Sequence, residues 1–227
     1  MLIEQFSYFT FSCFQCSLED IVKTLSADFL ENGKRKLSFR PLVFDLYDNS
    51  PLKGGAHFEK AYFFAPATNR NICVMYSNYS DGWNTLARCL SSKLQCDCYN
   101  FQITNIDSSD SMNSFNFIQN GADVRTVYAM KDSKWIFYEN GIVQWFEDES
   151  YYKRRLIKNR VNKDILLSYC TKLGFAITEA KFWESKDASE VEKVIHSPLL
   201  GTLPQLQDGK TSVDQDDFMM SESMHLI

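Results

Sequence analysis

Two Asn-Gly pairs constrain this chain more than any other feature. Asn120-Gly121 follows the apolar run FNFIQ, and Asn140-Gly141 separates KWIFYE from IVQWF. Between them, VRTVYAM leads into the polar turn Lys131-Asp132-Ser133-Lys134. A two-residue type I′ hairpin turn needs positive φ at both central positions, and Asn-Gly reaches it at little steric cost. The pattern predicts a four-strand antiparallel meander over about residues 115–146. Pairing across the second turn sets Tyr138 opposite Val143, Phe137 opposite Gln144, Ile136 opposite Trp145 and Trp135 opposite Phe146. One face then carries Ile136, Tyr138, Val143 and Trp145, and the other Trp135, Phe137 and Phe146.

The rest of the chain supplies helices and further strands. QFSYFTFSCF (5–14) is apolar on both faces, as an inner strand covered on both sides would be. Ser17, with Asp20 three residues on, predicts a capped helix with the stripe Leu18, Ile21, Val22, Leu25 and Phe29, closed by Gly33. Pro41 inside 36–47 marks an edge strand or a bulge. Strands are expected at 58–65, 71–77 and 96–104. A helix starting near Ser80 or Asp81 would present Trp83, Leu86, Ala87, Leu90 and Leu94. Asn162 caps a later helix with the stripe Ile165, Leu166, Tyr169 and Leu173, ended by Gly174, and another helix is expected at 187–195. The fold class is α+β: a twisted antiparallel sheet with helices packed on it. The domain spans 1–196, and the Pro-, Ser- and Asp-rich 197–227 reads as a poorly ordered, partly acidic tail.

Composition narrows the function classes. No run reaches 18 apolar residues, so no membrane helix is expected. The N-terminus lacks the basic start of a signal peptide. Seven irregularly placed cysteines suit a reducing cytoplasm better than a disulfide framework. A net charge of −5 disfavours general nucleic-acid binding.

No catalytic constellation or cofactor motif emerges. Cys13-x-x-Cys16 and Cys96-x-Cys98 invite a zinc reading, but Cys13 and Cys16 would point to opposite faces and Cys96-x-Cys98 lacks knuckle spacing. Buried free thiols are the simpler reading, although Cys16 stands just before a helix cap, where a redox thiol would sit. His57, His196 and His225 have no local partner that would make one a base, and Lys53-Gly54-Gly55 lacks phosphate-loop spacing. The chain therefore reads as non-enzymatic, without metal or cofactor.

The strongest charge pattern is FEDESYYKRRLIKNR (146–160). Trp145, Glu147, Asp148, Glu149, Tyr151 and Tyr152 combine aromatic and acidic groups suited to docking a basic protein surface. Lys153, Arg154, Arg155, Lys158 and Arg160 are the alternative, a strip that could contact nucleic acid.

Trp135, Phe137 and Gly141, then Phe146-Glu147, then Tyr152 with Arg155, then Tyr169 with Leu173-Gly174 follow the order W-x-F-x-x-x-G, F-E, Y-x-x-R, Y-x-x-x-L-G. In this the chain resembles a group of small bacterial cytosolic proteins that includes immunity proteins of polymorphic toxin systems. The likeness covers roughly residues 75–180 and carries no catalytic residue. It implies a protein partner, a cognate toxin, neutralised by occlusion.

Overall fold

The computed structural model describes residues 8–31, 38–41, 61–77, 81–104, 111–183 and 193–196. Among the described residues, nine strands form one open antiparallel sheet: β1 (Tyr8–Phe14), β2 (Ser38–Pro41), β3 (Ala61–Phe64), β4 (Cys73–Ser77), β5 (Asp97–Thr104), β6 (Met112–Gln119), β7 (Ala122–Asp132), β8 (Lys134–Gly141) and β9 (Lys193–His196). Their order is β2-β9-β3-β4-β1-β5-β6-β7-β8. Three α-helices among the described residues accompany them: α1 (Leu18–Glu31), α2 (Asn84–Leu94) and α3 (Lys163–Lys172).

β1 lies inside the sheet between β4 and β5. Alternation along an extended strand sends Phe9, Phe11 and Cys13 into one apolar layer and Phe14 into the other. α1 and α2 cover the Phe14 layer through Ile21, Leu25, Leu86, Ala87 and Leu90. α3 and the chain from Phe146 to Trp183 cover the Phe11 layer. The sheet is thus sandwiched, which is why β1 is apolar on both sides.

Local signals set most element ends. Ser17 Oγ accepts from the Asp20 N–H at 3.1 Å and donates to the Asp20 carboxylate at 2.6 Å, fixing the start of α1. Asn162 Oδ1 accepts from the Ile165 N–H at 3.0 Å and opens α3 in the same way. Pro41 ends β2, which among the described residues is an edge strand paired with β9. α2 begins later than its apolar stripe implies. Asp81 Oδ1 accepts from the Trp83 N–H at 2.9 Å, and Gly82 and Trp83 take left-handed φ of 72° and 57°, so the first helical residue is Asn84. Trp83 is buried against the helix rather than within it. Gly33 and the 197–227 tail lie outside the described residues.

The meander is present, but one strand earlier than its turns suggest. Asn120 and Gly121 take φ of 51° and 82° and join β6 to β7 as a tight hairpin. The four meander strands are β5 to β8, over 97–141. Asn140-Gly141 is not a turn: Asn140 pairs with Thr126 and Gly141 with Arg125 within β8. IVQWF forms no strand, so the expected pairing of 135–139 with 142–146 does not occur. The reason is local. Gly141 packs so closely on β7 that an added Cβ would lie 1.9 Å from the Val124 carbonyl oxygen, and its φ is +89°. Glycine there serves a close approach, after which the chain leaves the sheet.

One further element differs. Residues 193–196 are strand, not the end of a helix, and Val194-Ile195 fill the place between β2 and β3. Two adjacent β-branched residues favour that outcome.

Candidate protein-docking site

The site begins with a bulge. β6 and β7 pair in one register as far as Phe117 with Arg125 and resume with Ile118 against Asp123, leaving Val124 over. Two residues two apart in a strand normally share a face; an inserted residue breaks that rule. Asp123 meets Arg88 of α2 through contacts of 3.1 and 2.9 Å. Arg125 instead enters the aromatic layer beneath the 146–183 segment, where it is 2% exposed.

A buried guanidinium must be paired. Arg125 Nε donates to both Glu147 carboxylate oxygens at 3.1 Å, and its Nη2 donates to Glu147 at 2.9 Å and to Glu139 at 2.7 Å. Nη1 donates to the Gly141 carbonyl at 3.1 Å. The Glu147 side chain is 0% exposed. It also accepts from the Gln144 N–H at 2.7 Å and from the Tyr152 hydroxyl at 2.6 Å. The Tyr152 and Tyr169 hydroxyls are 3.0 Å apart, and the Asp148 N–H donates to Tyr169 at 3.3 Å. Lys172 Nζ donates to the Phe146 carbonyl at 2.8 Å. The chain is therefore held to the sheet or to α3 at Gly141, Phe146, Glu147, Asp148 and Tyr152.

Burial works to lower the Arg125 pKa, but hydrogen bonds to Glu147 and Glu139 outweigh it and leave the guanidinium more firmly charged. Burial, then the bonds to Glu147 and Tyr169, raises the Tyr152 hydroxyl. Burial likewise raises Tyr169. Folded pKa values above the unfolded one favour the protonated side chain in the fold. The resulting stability is complete below the unfolded tyrosine pKa of about 10 and is lost as pH rises towards the folded values. Urea unfolding is expected to show a steepening loss of stability above about pH 10, shallower in Tyr152→Phe. Equal slopes in the two proteins would contradict the network.

The six expected docking residues divide. Glu147 and Tyr152 face inward and are used by the Arg125 network, so neither belongs to an exposed face. The fold draws them in because Arg125 needs a carboxylate and Glu147 needs donors. Trp145 and Glu149 are exposed, while Asp148 and Tyr151 are half-buried. Hydrogen bonds from Ser150 hold the Asp148 carboxyl below its usual range. Trp145 is 72% exposed, edge-on to the fully buried Phe146. Ile142, 76% exposed, joins it on the same loop.

The basic strip divides too. Arg154 lies over the Tyr151 ring at 4.3 Å and donates to the Asn159 carbonyl at 3.0 Å. Arg160 lies 5.2 Å over Phe137 and donates to the Arg154 carbonyl at 2.8 Å. Both arginines shape the 151–160 loop, leaving Lys153, Arg155 and Lys158 as its outward cations.

Sequence reasoning missed Arg125. Its signal was there: one cation alternating with Val127 and Ala129 on an apolar strand face. Ile142 escapes a sequence reading because IVQWF has the pattern of a strand, whereas it leaves the sheet as a loop.

Among the described residues, no three His, Cys, Asp or Glu side chains are placed to hold a metal ion. Cys13 lies in one apolar layer while Cys16, Cys96 and Cys98 lie in the other. No described helix is long and apolar enough to cross a membrane. Comparison of the chain with protein-family models, curated proteins and solved structures finds no match.

Proposed function

We propose that this protein is a non-enzymatic binding module that docks another protein through the loop after β8, and that it acts as an immunity protein occluding a cognate bacterial toxin. One observation carries the docking reading. Ile142 and Trp145 project into solvent from a loop whose backbone is pinned by a buried ion pair. An exposed tryptophan on a rigid support is what an interface anchor requires, since little conformational entropy is lost when it is covered. Asp148 and Glu149 beside it favour a basic partner. The resemblance of residues 75–180 to immunity proteins supplies the toxin.

The test is co-expression in a bacterial host with the toxin domain encoded by the adjacent reading frame. The wild-type chain is expected to restore growth and Trp145→Asp to lose protection at unchanged folded yield. Growth arrest with the wild-type chain would refute the immunity role. The outward Lys153, Arg155 and Lys158 sustain the second reading, a nucleic-acid accessory protein. Binding of single-stranded oligonucleotides that weakens with salt would favour it.

A further inference from the structure

We propose that Cys16 and Cys96 form a cross-strand dithiol that closes reversibly to a disulfide, a redox site tying the start of α1 to the end of α2. The β1–β5 register supplies the geometry. It runs Cys13 with Tyr99 and Phe14 with Cys98. The Gln15 N–H donates to the Asp97 carbonyl at 2.8 Å, which extends the same register one step. Carried one step further, past the end of β1, the register sets Cys16 against Cys96.

Hydrogen-bonded and non-hydrogen-bonded pairs alternate along an antiparallel ladder. The Gln15–Asp97 bond therefore makes Cys16–Cys96 a non-hydrogen-bonded pair, the kind whose Cα atoms lie about 4.5 Å apart. The pair four residues back, Ser12 with Asn100, is of the same kind, and its side chains touch at 2.9 Å. A spacing of about 4.5 Å falls at the short end of the range that a disulfide spans. Each thiol is the largest influence on the other's pKa. All seven cysteines are free here; Cys13, Cys73, Cys96, Cys98 and Cys170 are buried, and Cys16 and Cys89 are half-buried. Cys16 is only half-buried, and it lies at the margin of the helix-covered layer rather than within it.

The chemistry follows from the contact. The interaction with Cys16 lowers the Cys96 pKa, while the same interaction, followed by burial, raises Cys16. Cys96 is thus the thiolate of the pair. With hydrogen peroxide as oxidant, the Cys96 thiolate attacks one peroxide oxygen and the O–O bond breaks, giving a sulfenic acid and hydroxide. The Cys16 thiol then attacks the Cys96 sulfur. The new S–S bond expels hydroxide, which leaves as water with the Cys16 proton. Two thiols lose two electrons, and one peroxide becomes two waters.

The bond would change the chain mechanically. Cys16 immediately precedes Ser17, the cap of α1, and Cys96 immediately follows Gln95, the C-cap of α2. It would close a loop of about 80 residues, long enough for a substantial entropic stabilisation.

The test is peptide mapping of the full-length chain after peroxide treatment, with free thiols alkylated. The expected product is one Cys16–Cys96 disulfide per monomer, reversed by dithiothreitol. Oxidation should raise the Tm by about 5–10 °C, and Cys96→Ser should abolish the rise. Recovery of both residues as alkylated thiols overturns the proposal. So does a stable sulfenic or sulfinic acid at Cys96 with Cys16 still free. Mapping needs only the wild-type protein, so misfolding of a variant cannot obscure the answer.

Discussion

Glu147→Ala is expected to lower stability by about 3–5 kcal/mol, the cost of stranding a buried guanidinium. The substitution removes the partner of Arg125 Nε, and Glu139 reaches Arg125 only through Nη2. It also leaves the Gln144 N–H and the Tyr152 hydroxyl without their acceptor. Arg125→Met should cost a similar amount, because Glu147 would then be the unpaired buried charge. Arg125→Met combined with Glu147→Leu should recover more than half of either loss, since two apolar groups replace two charges that satisfy each other. Recovery stays incomplete because the Gly141 carbonyl, the Gln144 N–H and Tyr152 still lose bonds. Urea denaturation of the four proteins forms the cycle. Single variants that each cost under about 1 kcal/mol would mean the pair is solvated rather than buried.

Phe146→Ala is the second large effect, also about 3–5 kcal/mol. Phe146 is fully buried, with edge contacts to Tyr99, Phe115 and Tyr169 at 6.0, 5.6 and 5.6 Å between ring centroids. These rings come from β5, β6 and α3, so the residue joins the sheet to its cover. Truncation would leave a cavity that this rigid surround cannot close. Trp145→Ala is the control next door: an exposed ring, expected to change stability by less than about 0.5 kcal/mol. Equal losses at 145 and 146 would contradict the assignment of which ring faces inward.

The contrast between these neighbours shows how far the residues alone could be read. Alternation in β1 and the caps at Ser17 and Asn162 are local signals, and the structure follows them. The Asn120-Gly121 turn is equally local, since the type I′ requirement sits in two residues. Asn140-Gly141 has the same letters and a different cause. Its glycine is required by Val124, a residue far off in sequence that no short-range rule reaches. Even so, Trp135, Phe137 and Phe146 do share a layer, as the expected hairpin had them. They arrive there because the loop folds back over the sheet, not by pairing. The site was legible as a charged aromatic segment, but its direction was not. Glu147 turns inward because a bulge at Val124 redirects Arg125, and a bulge is a property of two strands together. Trp145 alone among the expected anchors is both large and exposed.

Trp145, held out by the Arg125–Glu147 brace, is proposed to anchor a protein partner. Calorimetric titration with the purified toxin domain of the adjacent reading frame tests it most directly. The wild-type chain is expected to bind tightly and Trp145→Ala about 30-fold more weakly or worse, the loss of an interface hot spot of about 2 kcal/mol. Neutralising Lys153, Arg155 and Lys158 together should leave that affinity within a few-fold. Equal affinities for the wild-type chain and Trp145→Ala, with the loss appearing instead in the lysine and arginine variant, would contradict it.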